Sequence, residues 1–210
     1  KIINDSTVVT SDRLLYQGED RIAQLREDVI YKRGYQELYT DHLDYSLDTE
    51  VAYYYNGGQL IDTTNILSST LGYFYAKENV ARFYQSVVLQ SAEFTLKTDT
   101  LRYNTLTKIA YSFGPTEIIN KEGTIIYADG GEFRTQISQT EISSGNIETS
   151  EYILDGDKLF FDDFNQYYLG EGNVKLTSKE NNLILLGDEG YHDKVNGYSK
   201  IYGNAIMKKI

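Results

Sequence analysis

The chain has no cysteine, no tryptophan, one proline, one methionine and two histidines in 210 residues. Without cysteine there is no disulfide framework, no thiol nucleophile and no thiolate metal site, a composition compatible with any redox compartment. The single proline, Pro115, means that few strands need interruption. Apolar runs extend over only a few residues, too short to cross a bilayer. Positive charge is scarce too: 20 Lys and Arg stand against 31 Asp and Glu, a formal charge of −11. Such a chain repels a nucleic-acid backbone or an anionic membrane surface at long range, so no nucleic-acid partner is expected, and a lipid would be held by its apolar part.

What the sequence has in excess is tyrosine, 20 residues of it, with plentiful Thr, Ile and Val. These residues favour strands over helices, and 210 residues suit one β-rich domain. The expectation is therefore a single all-β domain spanning 1–210.

One phrase recurs along the chain. Its aromatic falls at Tyr16, Tyr45, Phe74 and Tyr103, in steps of 29 residues. A β-branched residue followed by alanine keeps the same step, at Ile22-Ala23, Val51-Ala52, Val80-Ala81 and Ile109-Ala110. The acidic head of the phrase is Asp12, Asp41 and Asp99, with Thr70 in the third copy; Leu14, Leu43 and Leu101 follow two residues later, with Gly72 the exception. Beyond Pro115 the period loosens through Asp129-Gly131-Phe133, Asp157-Leu159-Phe161 and Asp188-Gly190-His192. That makes seven copies, the first four strict.

In Asp-x-Leu-x-Tyr the named residues alternate, so an extended chain puts them on one face. Asn56-Gly57, Gly130-Gly131 and three late Gly-Asn pairs, at 145, 172 and 203, supply tight connections. Each copy has room for about two strands, giving about 14 to 18 in all. Residues 21–33 also show apolar spacing compatible with a helix, but their match to the other Val-Ala segments favours a strand.

Enzyme signatures are thin. His42 and His192 lie inside copies of the repeat, His42 opposite Leu43 and His192 in the aromatic slot. No nucleophile elbow, metalloprotease helix or phosphate-binding loop is present. The acidic stretch at 154–163 lacks the spacing of a calcium loop, and Asp157 is already the head of a copy. Carboxylate pairs for glycoside hydrolysis carry almost no specificity among 31 acids. Tyr53 and Tyr55 share one face and Tyr54 the other, an ordinary pattern for half-buried strand tyrosines. No catalytic residue, metal or cofactor is expected.

The C-terminal run carries a family resemblance. Gly172-Asn173-Val174-Lys175-Leu176, a polar turn, Leu183 to Leu186, Asp188, Tyr191 and Asp193, and then Gly203-Asn204-Ala205 resemble the recurring phrase of the OstA-like family, the LptA-type periplasmic proteins of lipopolysaccharide transport. Weaker copies extend the resemblance over nearly the whole chain, although the N-terminal ones lack the Gly-Asn signature. The resemblance implies an elongated, slightly twisted, open jelly-roll-like stack of antiparallel strands whose apolar interior shields lipid acyl chains. It also implies head-to-tail strand pairing with itself or other proteins of the same fold, and a periplasmic location, with a signal peptide removed or lying outside 1–210.

The physics of that role is coherent with the repeat. Exposing an acyl chain to water costs roughly 0.8 kcal/mol per methylene, so a lipid of several chains needs an apolar groove in place of the membrane. The expected lining is Leu43, Tyr45, Phe74, Phe83, Val87, Leu89, Leu101, Tyr103, Phe133 and Phe161, with Gly72 and Gly131 leaving room for a chain. The same residues would equally fill an ordinary core, so a β-scaffold that binds no lipid and associates through its open strand edges is the alternative. Those edges are expected at Val8 and Val9 and at Ala205, Ile206 and Met207.

Overall fold

Alternating apolar positions become strands throughout the computed structural model, which describes residues 1–4 and 6–209. Among those residues the only helical element is a 3₁₀ turn at Ala76–Glu78. The chain divides into two compact units, Lys1–Ala92 with Lys97–Ala110, and Glu93–Leu96 with Tyr111–Ile210. The period runs through both.

The first unit contains β1 (Ile2–Asn4), β2 (Thr7–Thr10), β3 (Arg13–Gln17), β4 (Ile22–Arg33), β5 (Gln36–Ser46), β6 (Val51–Tyr54), β7 (Gly58–Ile61), β8 (Ile66–Ser69), β9 (Leu71–Tyr75) and β10 (Val80–Gln90). β11 (Phe94–Asn104) and β12 (Ile109–Asn120) contribute to both units. The second contains β13 (Ile125–Arg134), β14 (Gln139–Glu148), β15 (Tyr152–Asp162), β16 (Tyr167–Ser178), β17 (Leu183–Asp193), β18 (Tyr198–Tyr202) and β19 (Ile206–Lys209). In the first unit β4 pairs with β2, β3 and β5; β5 pairs with β6 and β7, and β10 with β8 and β9. In the second, β13 to β17 pair in chain order, and β17 then takes β18 and β19. All of these pairings are antiparallel. Residues 22–33 are strand, as the kinship of 21–33 with the other copies predicts. The 19 strands exceed expectation because β2/β3, β6/β7, β8/β9 and β18/β19 are single lines broken at midpoint, and β1 adds one more.

The breaks fall at a left-handed step (Asn56-Gly57, Gly203-Asn204) or at a head residue bonded across to one (Asp12 to Glu27, Thr70 to Gln85). Positive φ occurs at Glu27-Asp28, Asn56-Gly57, Gln85-Ser86, Gly114, Ser144, Gly172-Asn173 and Gly203-Asn204. Each site begins 15 residues after a head: 12, 41, 70, 99, 129, 157 and 188. Left-handed residues interrupt the pleat and bend the strand, as a β-bulge does. Register shifts accordingly between Arg26 and Val29 and between Glu171 and Val174.

The head residue closes the bend. Backbone N–H groups of Asp12, Thr70 and Asp188 donate to the carbonyls of Glu27, Gln85 and Gly203, each at 3.0 Å. In the late copies the head carboxylate also accepts from the asparagine side chain, Asn173 to Asp157 at 2.8 Å and Asn204 to Asp188 at 3.0 Å. Glycine at 172 and 203 is needed twice over, since φ is positive and a Cβ would strike that same carboxylate. The N-terminal copies keep the geometry without the Gly-Asn signature. Glu27-Asp28 and Gln85-Ser86 adopt it at a cost of roughly 1–2 kcal/mol per non-glycine residue.

The inward faces hold the core, and there the glycines find partners. A Cβ at Gly72 would come within 2.6 Å of the Tyr54 ring, which lies against Gly58 as well. At Gly131 a Cβ would meet the Glu141 carbonyl at 2.6 Å and Ile142 Cγ2 at 2.9 Å. The space expected for a lipid chain at these two glycines is therefore taken by the protein's own atoms. We predict that Gly72→Val costs about 1–3 kcal/mol by overpacking, and that the cost falls sharply in a Tyr54→Ala background. Equal losses in both backgrounds, measured by denaturant unfolding, would show that the tyrosine ring is not what fills that space.

Candidate functional site

Two places answer to the sequence expectations, the inward face and the strand edges. The ten inward positions are all buried, from Leu43, Tyr45, Leu89, Leu101, Tyr103 and Phe133 with no exposure to Phe161 at 4%. Eight belong to the first unit, and Phe133 and Phe161 to the second. Alternation alone brings them to one side of their strands: Leu43 pairs with Leu25, Tyr45 with Ala23 and Phe74 with Ala81, each a buried neighbour. Rings complete the packing. Tyr31 lies edge-on to Phe74 at 5.4 Å, and Phe161 stacks on Tyr168 at 4.7 Å.

A wall of tyrosines must also satisfy its hydroxyls. Tyr45 accepts from Asn4 Nδ2 at 3.1 Å, and Tyr54 shares a hydrogen bond of 2.6 Å with Ser69. Tyr103 donates to Asp62 Oδ2 at 2.7 Å and accepts from Asn65 Nδ2 at 2.8 Å. The same carboxylate oxygen meets Lys108 Nζ at 2.8 Å, while Oδ1 takes the backbone N–H groups of Thr64 and Asn65. Burial pushes the Asp62 carboxyl up, but Lys108, the Thr64 N–H and the Tyr103 hydroxyl outweigh it and hold the group below its ordinary value. Nothing in the repeat announced this cluster, because Asp62, Asn65 and Lys108 sit in turns rather than in the recurring phrase.

The strand edges differ from expectation at the N-terminus. Val8 and Val9 pair with Ile3 and Ile2 of β1 on one side and with Lys32 and Tyr31 of β4 on the other, and Val9 is fully buried. They are not an open edge, because β1 folds back over them. Among the described residues β3 pairs with β4 alone, exposing Leu14, Leu15 and Tyr16. At the other end β19 pairs with β17 alone; Ile206 and Met207 are exposed, as is Ala205 just before the strand.

Both histidines pack against tyrosine rings. His42 packs its ring on Tyr55 at 5.0 Å on the outward side, and Tyr53 stacks on Tyr73 at 4.6 Å on the face opposite Tyr54. His192 is buried against Tyr152 at 4.3 Å with Nδ1 2.9 Å from Ser199 Oγ, and burial lowers its pKa.

The buried tyrosines generate a pH dependence. Burial raises Tyr31 and Tyr54 from 10.0 to about 12, against the lowering effect of their hydrogen bonds to Thr7 and Ser69. In the unfolded chain both ionise near 10 while the folded chain keeps its protons. The stability they contribute is fully present below about pH 10 and is lost as pH rises toward 12. Spectrophotometric titration should show exposed tyrosines ionising first and the last tyrosinates appearing together with unfolding. A single titration near the ordinary value, with the fold intact, would contradict this.

Among solved structures, the chain is similar to the crystal structure of LptH, the LptA homologous periplasmic component of the lipopolysaccharide transport device from Pseudomonas aeruginosa. Identity is 13%, the TM-score 0.48, and the match covers 51% of this chain and 81% of that one. No curated protein sequence matches the chain. A family model described as OstA-like protein matches residues 3–99 and 85–157. Since those segments take in well over half of the sequence, the protein belongs to the OstA-like family.

Proposed function

We propose that this protein is a non-enzymatic, periplasmic lipid-binding module that shields lipopolysaccharide acyl chains in an apolar groove during transport to, or assembly of, the outer membrane. Membership of the OstA-like family over residues 3–157 carries the reading. The inward rows of Leu, Phe and Tyr, interrupted at Gly72 and Gly131, support it, because strands whose apolar faces turn one way match acyl chains in polarity. The titrating test is native mass spectrometry of the purified protein with lipopolysaccharide and with a phospholipid control. Saturable binding that prefers lipopolysaccharide is expected; a folded protein that binds neither would sink the proposal. One observation favours the alternative of a scaffold that binds no lipid: Tyr54 fills the space over Gly58 and Gly72 with the protein's own ring.

The edges supply the second half of the reading, head-to-tail β-augmentation with itself or other proteins of this fold. β3, with Leu14, Leu15 and Tyr16, and β19, with Ile206 and Met207, are the strands to which a partner would add. Ile206→Pro removes a ladder donor at that edge. It is expected to abolish association with such a partner in sedimentation experiments while the monomer stays folded. Unchanged association would move the contact away from β19.

A further inference from the structure

The turns joining each head strand to the strand that follows have four residues in every copy, at 18–21, 47–50, 76–79, 105–108, 135–138, 163–166 and 194–197. The second residue is Glu19, Asp48 and Lys77 in the first three and Leu106, 74% exposed, in the fourth. In the second unit every one of these turns carries an exposed apolar residue, at the third position in 135–138 and at the second in 163–166 and 194–197. Ile137, Phe164 and Val195 stand in three consecutive turns at 51%, 82% and 73% exposure.

These tips are held, not loose. Asp163 N–H donates to the Ser138 carbonyl at 3.0 Å and Lys194 N–H to that of Gln166 at 3.1 Å, so each turn is bonded to the next. Within the turns, Asp162 and Asp193 accept from the N–H groups of Asn165 and Asn196 at 2.8 Å each. Since β13 to β18 pair in order, the three tips lie on one side of the sheet at intervals of about 10 Å, two inter-strand spacings.

We propose that this row of turns inserts its apolar side chains into a zwitterionic phospholipid surface. Two features select that occupant. First, three side chains standing apart offer far less than the roughly 800 Å² per partner of a stable protein interface, whereas a fluid lipid interface accepts separate anchors one at a time. Second, the charges of the row are turned into the fold. Asp162 is buried, half-buried Asp163 accepts from Asn120 Nδ2 at 3.3 Å and Gln166 Nε2 at 3.2 Å, Asp193 caps its own turn, and Lys194 is ion-paired with Glu122. The row therefore presents little charge of its own, and the chain's −11 works against an anionic surface. The inference does not depend on the interior binding lipid, since the row faces solvent.

Flotation of the full chain with phosphatidylcholine vesicles, and with vesicles enriched in phosphatidylglycerol, tests it. The chain should float with phosphatidylcholine and less with the anionic vesicles at low salt. The combined variant Ile137→Ser, Phe164→Ser, Val195→Ser should lower partitioning at least about tenfold. Circular dichroism and lipopolysaccharide binding should be unchanged, because the three side chains are exposed. Tyr35→Ser, at an exposed turn of the first unit, should float like the unmodified chain. The proposal is overturned if the unmodified chain fails to float, if the triple variant floats equally, or if anionic vesicles are preferred. It is also overturned if the variant changes lipid-free sedimentation while flotation persists, which would make the row a protein contact.

Discussion

The constraint on which this architecture turns is the left-handed step in the middle of every second strand, 15 positions after the head of each copy and closed in three copies by the head's own backbone N–H. A pleated strand of 11 or 12 residues has no reason to bend at its centre. Two successive residues of positive φ supply one, and the hydrogen bond from the head residue keeps the bent backbone from losing a ladder partner. In the late copies the carboxylate that opens the phrase, Asp157 or Asp188, serves the bend by holding its asparagine, while the leucine and aromatic positions behind the head serve the core. One motif specifies both the curvature of the strand and the direction its side chains face.

The tyrosines follow from the same division of labour. A core of leucine and phenylalanine alone would need no polar partners. Tyr45, Tyr54 and Tyr103 bring hydroxyls inside and tie them to Asn4, Ser69 and the Asp62–Lys108 pair. Each tie costs desolvation and returns specificity of packing, since a ring anchored at its far end cannot slide along the sheet. The stacked Tyr53 and Tyr73 on the opposite face show the residue type used again where water is close.

Much of this was legible in the sequence. A period of two along each strand revealed the inward rows, and the 29-residue step revealed seven copies, because those signals are repeated and each repetition checks the last. The bends were legible only in part. Gly172-Asn173 and Gly203-Asn204 stand out by composition, but Glu27-Asp28 and Gln85-Ser86 adopt the same φ against their propensity, and only the constant interval from the head would have exposed them. The Asp62 cluster was hidden because its members are brought together by turns of different copies. The misplacement of Val8 and Val9 arose because β1, three residues long, follows no repeat and is invisible to any argument from periodicity.

The hydrogen bonding between neighbouring turns has a consequence for how such a chain can change length. Arg21 is bonded to Leu47, Asn79 to Thr105, Ser138 to Asp163 and Gln166 to Lys194, so the ladder continues past the strand ends and through the turns. An insertion of a few residues in one turn would break that continuity on both sides and put the bend out of step with its head. An added or deleted whole copy would break nothing, because each new pair of strands meets neighbours built like those it displaced. Proteins of this construction should grow and shrink by doubling or excising units, with their reach set by copy number rather than by loop length.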